Sequence, residues 1–199
     1  MTVVAGVVAL LALAVTAASL IWLHLAPTGL SPVGNAVSQY GITPFKLGYR
    51  VATIAFAVAG AALAAGLARA VGTDSNAGLV IALLVVFASA RAAISWFPMD
   101  APHTPRTQTG AVHGLLAVAA FITIGLAALR LGAVLRSTHH WHSLAPISTG
   151  LGWAMTAILV TMLAARSVPF LAARFGAVER GFYALALAWS VVFALACVS

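Results

Sequence analysis

The sequence predicts an all-α fold, an integral membrane bundle of six transmembrane helices, from three observations. Hydrophobic residues make up 63% of the 199 residues and charged residues only 7%, and mean hydropathy reaches +1.09. The apolar residues form six separate stretches, each close to the about 20 residues that a helix needs to cross a hydrocarbon core of about 30 Å. These stretches are continuous rather than alternating, which favours helices over a transmembrane β-barrel.

The six predicted spans follow one another with short connections, so we treat residues 1–199 as one transmembrane domain. The spans cover residues 3–25, 47–70, 77–96, 109–131, 147–165 and 179–198. The first has no basic region before it and is longer than the apolar core of a secretory signal, so we expect it to be retained.

Helix-breaking residues mark the ends of these spans in order. Prolines and glycines between residues 27 and 34 end the first span, and Thr43-Pro44 supplies an N-cap and a first-turn proline for the second. Polar residues at 72–76 form a tight connection to the third span, which stops at Phe97-Pro98. Thr104-Pro105 precedes the fourth span, prolines flank the fifth, and Glu179 begins the sixth.

The net charge of +7 comes from basic residues that are scattered one or two per loop. A nucleic-acid-binding surface would concentrate them in a stripe, so we expect no nucleic-acid partner. Anionic lipid head groups are the expected counter-charge, which makes membrane lipids the predicted partners. The sequence has no Gly-rich phosphate loop, CxxC pair, HExxH or GxSxG motif, and its single cysteine excludes an intrachain disulfide.

The basic residues are divided unequally between the two membrane faces. We call the face that carries both termini face A and the opposite one face B. Face A has Arg69, Arg130 and Arg136, whereas face B has Lys46, Arg50, Arg106, Arg166, Arg174 and Arg180. The positive-inside rule then predicts a cell-membrane protein with face B in the cytoplasm and both termini outside.

Four short polar clusters interrupt the apolar sequence, and counting spans puts all of them on face B. They are residues 35–40, residues 97–100, His113, and the pair Glu179-Arg180. Arg91 joins them, because it lies about five residues before the end of the third span and therefore about 7–8 Å inside the boundary. We predict that these residues assemble into one polar site.

The residue types at this predicted site suggest two kinds of role. The candidate proton carriers are His113, Asp100 and Glu179, and the candidate ligand-binding residues are Ser38, Tyr40, Arg91 and Arg180. Histidine titrates near neutrality, arginines fix anionic groups and hydroxyls donate hydrogen bonds. The structural alternative is a clasp in which the two arginines pair with Asp100 and Glu179, because a charge at membrane depth costs about 2.5–3.5 kcal/mol and usually finds a partner.

Histidine spacing argues against a metal centre at face B. His113 with Asp100, Glu179 or His103 could supply nitrogen and oxygen ligands, but no HxxxH spacing puts two imidazoles on one helix face. We therefore predict no metal ligands, and the sequence leaves any cofactor open.

The clusters also stand in a definite order along the chain. This order is Asn35-x-x-Ser38-x-Tyr40-Gly41, Phe97-Pro98-x-Asp100, His113-Gly114 and Gly176-x-x-Glu179-Arg180. It resembles the domain of unknown function 998 family of small prokaryotic integral membrane proteins over nearly the whole chain, which implies about six helices and no assigned activity. The serine, aspartate and histidine loosely resemble the zinc site of the alkaline ceramidase and adiponectin-receptor-like hydrolases, but the fifth and sixth spans lack the histidines of that set.

The predicted function is that of a multi-pass membrane protein that binds or acts on a lipid or amphiphile at face B, and whether it is an enzyme stays open. One alternative is a small-solute transporter, whose polar residues would have to continue toward the membrane midplane. Only Thr123, Thr156 and Thr161 lie that deep, and such threonines commonly bond to backbone carbonyls. The other alternative is a structural or accessory membrane subunit, and the oligomeric state is not predicted.

Overall fold

The computed structural model describes residues 2–71, 75–102, 104–138 and 141–198. Their α-helices are, in chain order, α1 (Thr2–Leu25), α2 (Lys46–Val71), α3 (Ser75–Ala93), α4 (Gln108–Ser137), α5 (Ala145–Ala164), α6 (Pro169–Ala172) and α7 (Phe175–Val198). Short 3-10 helices lie at Val37–Ile42, Ile94–Trp96 and His142–Leu144. Every α-helix except α6 is long and apolar enough to cross a membrane, which confirms the predicted all-α bundle of six transmembrane helices. The predicted connection at 72–76 lies partly outside the described residues.

Two helices extend clearly beyond their predicted bounds, α4 at face A and α7 at face B. On face A, α4 continues to Ser137 rather than ending at residue 131, because Val134 and Leu135 are still buried against the bundle. On face B, α7 begins at Phe175 rather than at Glu179. Glu179 is therefore one turn inside the helix instead of at its first position, and its carboxylate is free to reach a neighbouring element.

The six long helices pack as a ring in which chain neighbours are also spatial neighbours. Each of α1 to α5 contacts the next, and α7 closes the ring between α5 and α1 while also touching α2. Small residues allow the close approaches that hold membrane helices together. A Cβ at Gly60 would lie 2.7 Å from Cδ1 of Phe87, and one at Gly6 would lie 2.6 Å from Val198.

The outer surface of the bundle carries large apolar side chains that face the lipid. Leu11, Leu115 and Trp153 are each more than 60% exposed. In a soluble protein such a surface would be an aggregation hazard. Around a transmembrane bundle it is the surface that contacts acyl chains, in agreement with a multi-pass membrane protein.

The loop between α1 and α2 folds over the face-B end of the bundle. Its 3-10 helix, Val37–Ile42, packs on α2 and α7, and both Val37 and Tyr40 are buried. The backbone N–H of Ala177 donates to the carbonyl of Val33 at 2.9 Å, which ties this loop to the first turn of α7. The polar residues of the loop are thereby held against the polar end of α7.

Candidate functional site

Arg180 on α7 is the most heavily hydrogen-bonded side chain at face B. Its Nε donates to Nε2 of His24 at 2.5 Å, and its Nη1 donates to the carbonyls of Asn35 at 2.7 Å and Gly176 at 3.0 Å. Its Nη2 donates to the hydroxyl of Tyr40 at 3.0 Å. A guanidinium has five N–H donors, so one N–H on Nη2 is left without a partner among the described residues. The cation is held in a fixed orientation.

His24, at the end of α1, completes the surroundings of Arg180, and the sequence prediction missed it. Its Nδ1 lies 2.5 Å from the carbonyl oxygen of Leu20, and a carbonyl can only accept, so Nδ1 carries the proton. Nε2 then has the lone pair that accepts from Arg180. Its ring also meets Tyr40 edge to face, with centroids 5.7 Å apart. The sequence signal that could have identified His24 is its position in the last turn of the first span, ahead of the 35–40 cluster.

Glu179 is buried and binds the start of the 3-10 helix. Its Oε2 accepts from the backbone N–H of Val37 at 2.6 Å, and the side chain is only 4% exposed. The first N–H groups of a helix have no partner within the helix, and a carboxylate is a strong acceptor for them. Because α7 starts at Phe175, Glu179 points inward to this backbone rather than capping α7.

Arg91 on α3 is a second buried charged side chain at face B. It is 3% exposed, and its Nη1 donates to the hydroxyl of Tyr183 at 2.9 Å. Its Cζ lies 5.3 Å from the ring centroid of Tyr183 and 5.9 Å from that of Phe56. Aromatic faces attract a guanidinium, so two rings and one hydroxyl surround this cation.

Asp100 is bound to the start of α4. Its Oδ1 accepts from Oγ1 of Thr107 at 2.6 Å and its Oδ2 from the backbone N–H of Thr107 at 3.2 Å. The same hydroxyl is the N-cap of α4, accepting from the N–H of Gly110 at 3.0 Å. The hydrogen bonds from Thr107 lower the pKa of the Asp100 carboxyl below its usual value of 3.8. The group is therefore ionised at neutral pH and stabilises the N-terminus of α4.

His113 and Ser38 both contact the segment that follows α3. Nδ1 of His113 donates to the carbonyl of Phe97 at 2.7 Å, and the ring is 6% exposed. The hydroxyl of Ser38 donates to the sulfur of Met99 at 3.1 Å. Since Ser38 and Tyr40 lie on one 3-10 helix, that helix touches both the 97–100 segment and Arg180.

The ion pairs expected in the structural alternative are not formed among the described residues. Arg91 bonds to a tyrosine and Arg180 to a histidine, a tyrosine and two carbonyls. Glu179 and Asp100 both bind N–H groups at helix starts. Successive residues of a helix point about 100° apart, so Glu179 and Arg180 reach different neighbours. The prediction that paired these residues by charge alone was wrong, because the two carboxylates accept instead from backbone N–H groups that have no partner within their own helix.

A groove of about 390 Å³ runs between α1 and α7 and ends at Arg180. Apolar side chains from both helices line it, among them Leu20, Ile21, Ala184 and Leu187. Ile21 is 60% exposed, so the groove opens sideways toward lipid rather than into the bundle. At its face-B end Leu25 and Val37 line it together with His24 and Arg180.

The predicted residues take different positions relative to this groove. Of the seven, Arg180 lines it, Tyr40 and Glu179 lie beside Arg180 in the same group, and Arg91 is joined to the lining through Tyr183. Asp100, His113 and Ser38 form a second group around residues 97–100 and do not line the groove. Within the described residues no three His, Cys, Asp or Glu side chains lie together as a metal site would require, and His103 is outside that part of the chain.

Comparison with known proteins identifies one family model. The model described as "Protein of unknown function (DUF998)" matches residues 3–196. No curated protein and no solved structure matches the chain.

Proposed function

This chain belongs to the DUF998 family, whose description assigns no function, and we propose that it is a multi-pass protein of the cell membrane that binds a lipid or another amphiphile in the groove between α1 and α7. The observation that carries this proposal is the composition of the groove along its length. Its accessible lining is almost entirely apolar, and Arg180 lies at its face-B end.

The dimensions of the groove suit a ligand that enters from the leaflet on face B. Its lining extends from Ala17 to Leu25 on α1, which corresponds to about 12 Å along the helix axis. This is less than half of a hydrocarbon core of about 30 Å. A single acyl chain lying between the helices would bury apolar surface while its head group stays at the level of the membrane surface.

The chemistry at the end of the groove favours an anionic head group. Arg180 brings a full positive charge that no carboxylate of the described residues neutralises directly, and one N–H on Nη2 remains available. Its other N–H groups are already bonded, so binding would cost little ordering of this side chain. Tyr40 and His24 hold the cation in place, which makes Tyr40 a positioning residue in this proposal.

Binding is supported better than catalysis. The roles of His113, Asp100 and Glu179 as proton carriers stay predictions, since none of these three lines the groove. Asp100 is engaged by Thr107, and Glu179 by the backbone of Val37. A carboxylate or imidazole that carries protons for a bound ligand would need to reach it.

The two rival functions have less support from the geometry. A transporter needs polar groups near the midplane, but Thr123, Thr156 and Thr161 each donate to a carbonyl of the preceding turn of their own helix. A purely structural subunit would have no need of an apolar groove that ends at a cation. We keep the proposal that face B is cytoplasmic, because Arg106, Arg166 and Arg174 are exposed there.

Lipid analysis of the purified protein tests the proposal. Wild-type protein in a mild detergent should retain an anionic amphiphile, measured by mass spectrometry after solvent extraction, in an amount approaching one per chain. Ala184→Trp should reduce that amount at least about tenfold, because an indole would occupy space that the ligand needs. Ala18→Trp is the matched control, since Ala18 is an exposed alanine on α1 that does not line the groove.

Three outcomes of this measurement would count against the groove. One is a wild-type preparation with no retained amphiphile. Another is retained lipid whose composition equals that of the bulk membrane. The third is an equal loss in Ala184→Trp and Ala18→Trp, which would mean that any added surface indole disturbs binding.

A further inference from the structure

A second groove lies between α1 and α2, at the opposite membrane face from Arg180. Its volume is about 300 Å³. Its lining comes from the first turns of α1 and the last turns of α2, and consists of Val4, Ala5, Val8, Ala62, Ala65 and Arg69. None of these residues lines the groove between α1 and α7. The groove between α1 and α2 is therefore a separate feature, and it lies at face A.

This groove opens sideways toward the lipid. Val4 and Val8, one turn apart on α1, are 66% and 40% exposed, and Ala65 on α2 is half-buried. On α2 the lining extends from Ala62 to Arg69, which corresponds to about 10 Å along the helix axis. That length lies within one leaflet of a hydrocarbon core of about 30 Å. The groove thus has room for part of one acyl chain from the face-A leaflet.

Arg69 is the only charged residue in the described lining, and its side chain folds back along the groove. Side chains of a helix lean toward its N-terminus, and α2 runs from face B to face A, so Arg69 leans into the membrane. Its Nη1 donates to the carbonyl of Ala65 at 3.1 Å, one turn deeper. Because Ala65 and Arg69 both line the groove, the cation is held at its face-A end.

No carboxylate among the described residues neutralises Arg69. A guanidinium has five N–H donors, and the hydrogen bond of Arg69 goes to a neutral carbonyl. Only three residues of the chain are acidic. Asp100 and Glu179 are bound at face B, and Asp74 lies outside the described residues. A cation at membrane depth normally finds a counter-charge, so the surroundings of Arg69 favour an anionic ligand.

We propose that the groove between α1 and α2 binds an anionic phospholipid of the face-A leaflet, with an acyl chain between the helices and the phosphate on Arg69. A guanidinium forms charge-assisted hydrogen bonds with phosphate oxygens, and the apolar lining contacts the acyl chain. A zwitterionic lipid offers the same apolar contact, but its own cation competes with Arg69 for the phosphate. The site shares no residue with the groove between α1 and α7, so it does not depend on the function proposed for that groove.

Native mass spectrometry of the delipidated protein in a non-ionic detergent tests this site. The probes are phosphatidylglycerol and phosphatidylcholine with identical acyl chains. We expect Ala184→Trp, in which the groove between α1 and α7 is blocked, to bind one phosphatidylglycerol about tenfold more tightly than phosphatidylcholine, the effect of one hydrogen bond to a charged group. The wild type should bind a second phosphatidylglycerol. A wild type with the same single site would count against the groove between α1 and α7 and still support this one.

Four substitutions, each made in the wild type and in Ala184→Trp, locate the bound lipid. Arg69→Gln should lower the affinity for phosphatidylglycerol about tenfold and leave that for phosphatidylcholine unchanged. Arg136→Gln is its matched control, because Arg136 is an exposed arginine of α4 at face A outside this lining. Ala65→Trp should remove binding of both lipids at this site, since an indole would fill the groove. Ala61→Trp, at an exposed alanine of α2 outside the lining, should retain it.

Three results would overturn the proposal. One is equal affinity of Ala184→Trp for the two lipids. Another is an equal loss in Arg69→Gln and Arg136→Gln, which would show a general effect of positive charge at face A. The third is a dimer of the chain that Ala65→Trp dissociates, which would mean that a second copy occupies the groove. Where Ala65→Trp fails to fold, the comparison of Arg69→Gln with Arg136→Gln decides.

Discussion

Nε of Arg180 donates to Nε2 of His24 at 2.5 Å, so that the last long helix of the chain is bonded to the first across 156 residues of sequence. The bond joins α1 and α7 at face B, beside the groove that lies between these two helices. It also orients the guanidinium that ends the groove. One contact therefore serves the closure of the fold and the shape of the candidate binding site.

The first prediction concerns the coupling of these two side chains. His24→Ala and Arg180→Gln should each destabilise the protein, and their double-mutant cycle should show a coupling free energy of about 1.5 kcal/mol, the lower range for a hydrogen bond to a charged group. Thermal or denaturant unfolding in detergent measures it. Additive effects of the two substitutions would show that the contact contributes nothing to folding stability.

The second prediction separates the charge of Glu179 from its hydrogen bond. Glu179→Gln keeps an oxygen that can accept from the N–H of Val37, so we expect a change in unfolding free energy below about 1 kcal/mol. Glu179→Ala leaves that buried N–H without an acceptor and should cost about 1–3 kcal/mol. The comparison is made by unfolding at neutral pH. If the glutamine variant is as unstable as the alanine variant, the negative charge itself is what the fold requires.

The third prediction is a pH dependence that arises at Asp100. Its pKa in the folded protein is below the usual value of 3.8 because Thr107 donates two hydrogen bonds to the carboxylate. A lowered pKa means that the stabilising contribution is complete above the unfolded value and is lost as the pH falls through the folded value. The Tm of the wild type should therefore decrease as the pH falls below about 4. The part of this decrease that is due to Asp100 should be absent from Asp100→Asn. Identical acid profiles of the two proteins would remove Asp100 as the source.

The sequence predicted the fold because the bilayer imposes it. A helix must run about 20 apolar residues to cross, so the number of spans and the side on which each polar cluster emerges follow from counting. The same counting placed Ser38, Asp100, His113 and Arg180 at one end of the bundle. The structure places them at that end too, although in two groups rather than one.

The contacts within face B could not be predicted in the same way. Whether Arg180 meets Asp100 or His24 depends on where α7 begins and on the path of the 3-10 helix, and neither is encoded by hydrophobicity. Beginning α7 four residues earlier than expected turns Glu179 toward Val37 and Arg180 toward α1. The groove could not be predicted either, because its lining comes from two helices that are far apart in sequence.

The fourth prediction contrasts Gly176 and Gly114, two glycines of the motifs by which the sequence resembles the DUF998 family. A Cβ at Gly176 would overlap the carbonyl oxygen of Asn35 and lie 2.8 Å from Nη1 of Arg180, whereas a Cβ at Gly114 meets nothing within 4 Å. Gly176→Ala should therefore push the 31–36 loop away from α7 and break the hydrogen bonds of Arg180, at a cost of about 1–3 kcal/mol. Gly114→Ala lies inside α4 and should be neutral or stabilising by up to about 1 kcal/mol, since alanine is the better helix former.

The unfolding free energy and the amount of retained amphiphile should both be measured for each of the two variants. Gly176→Ala should lose both stability and ligand while Gly114→Ala keeps both. Equal behaviour of the two variants would mean that close contact between the loop and α7 is not what holds Arg180 at the end of the groove.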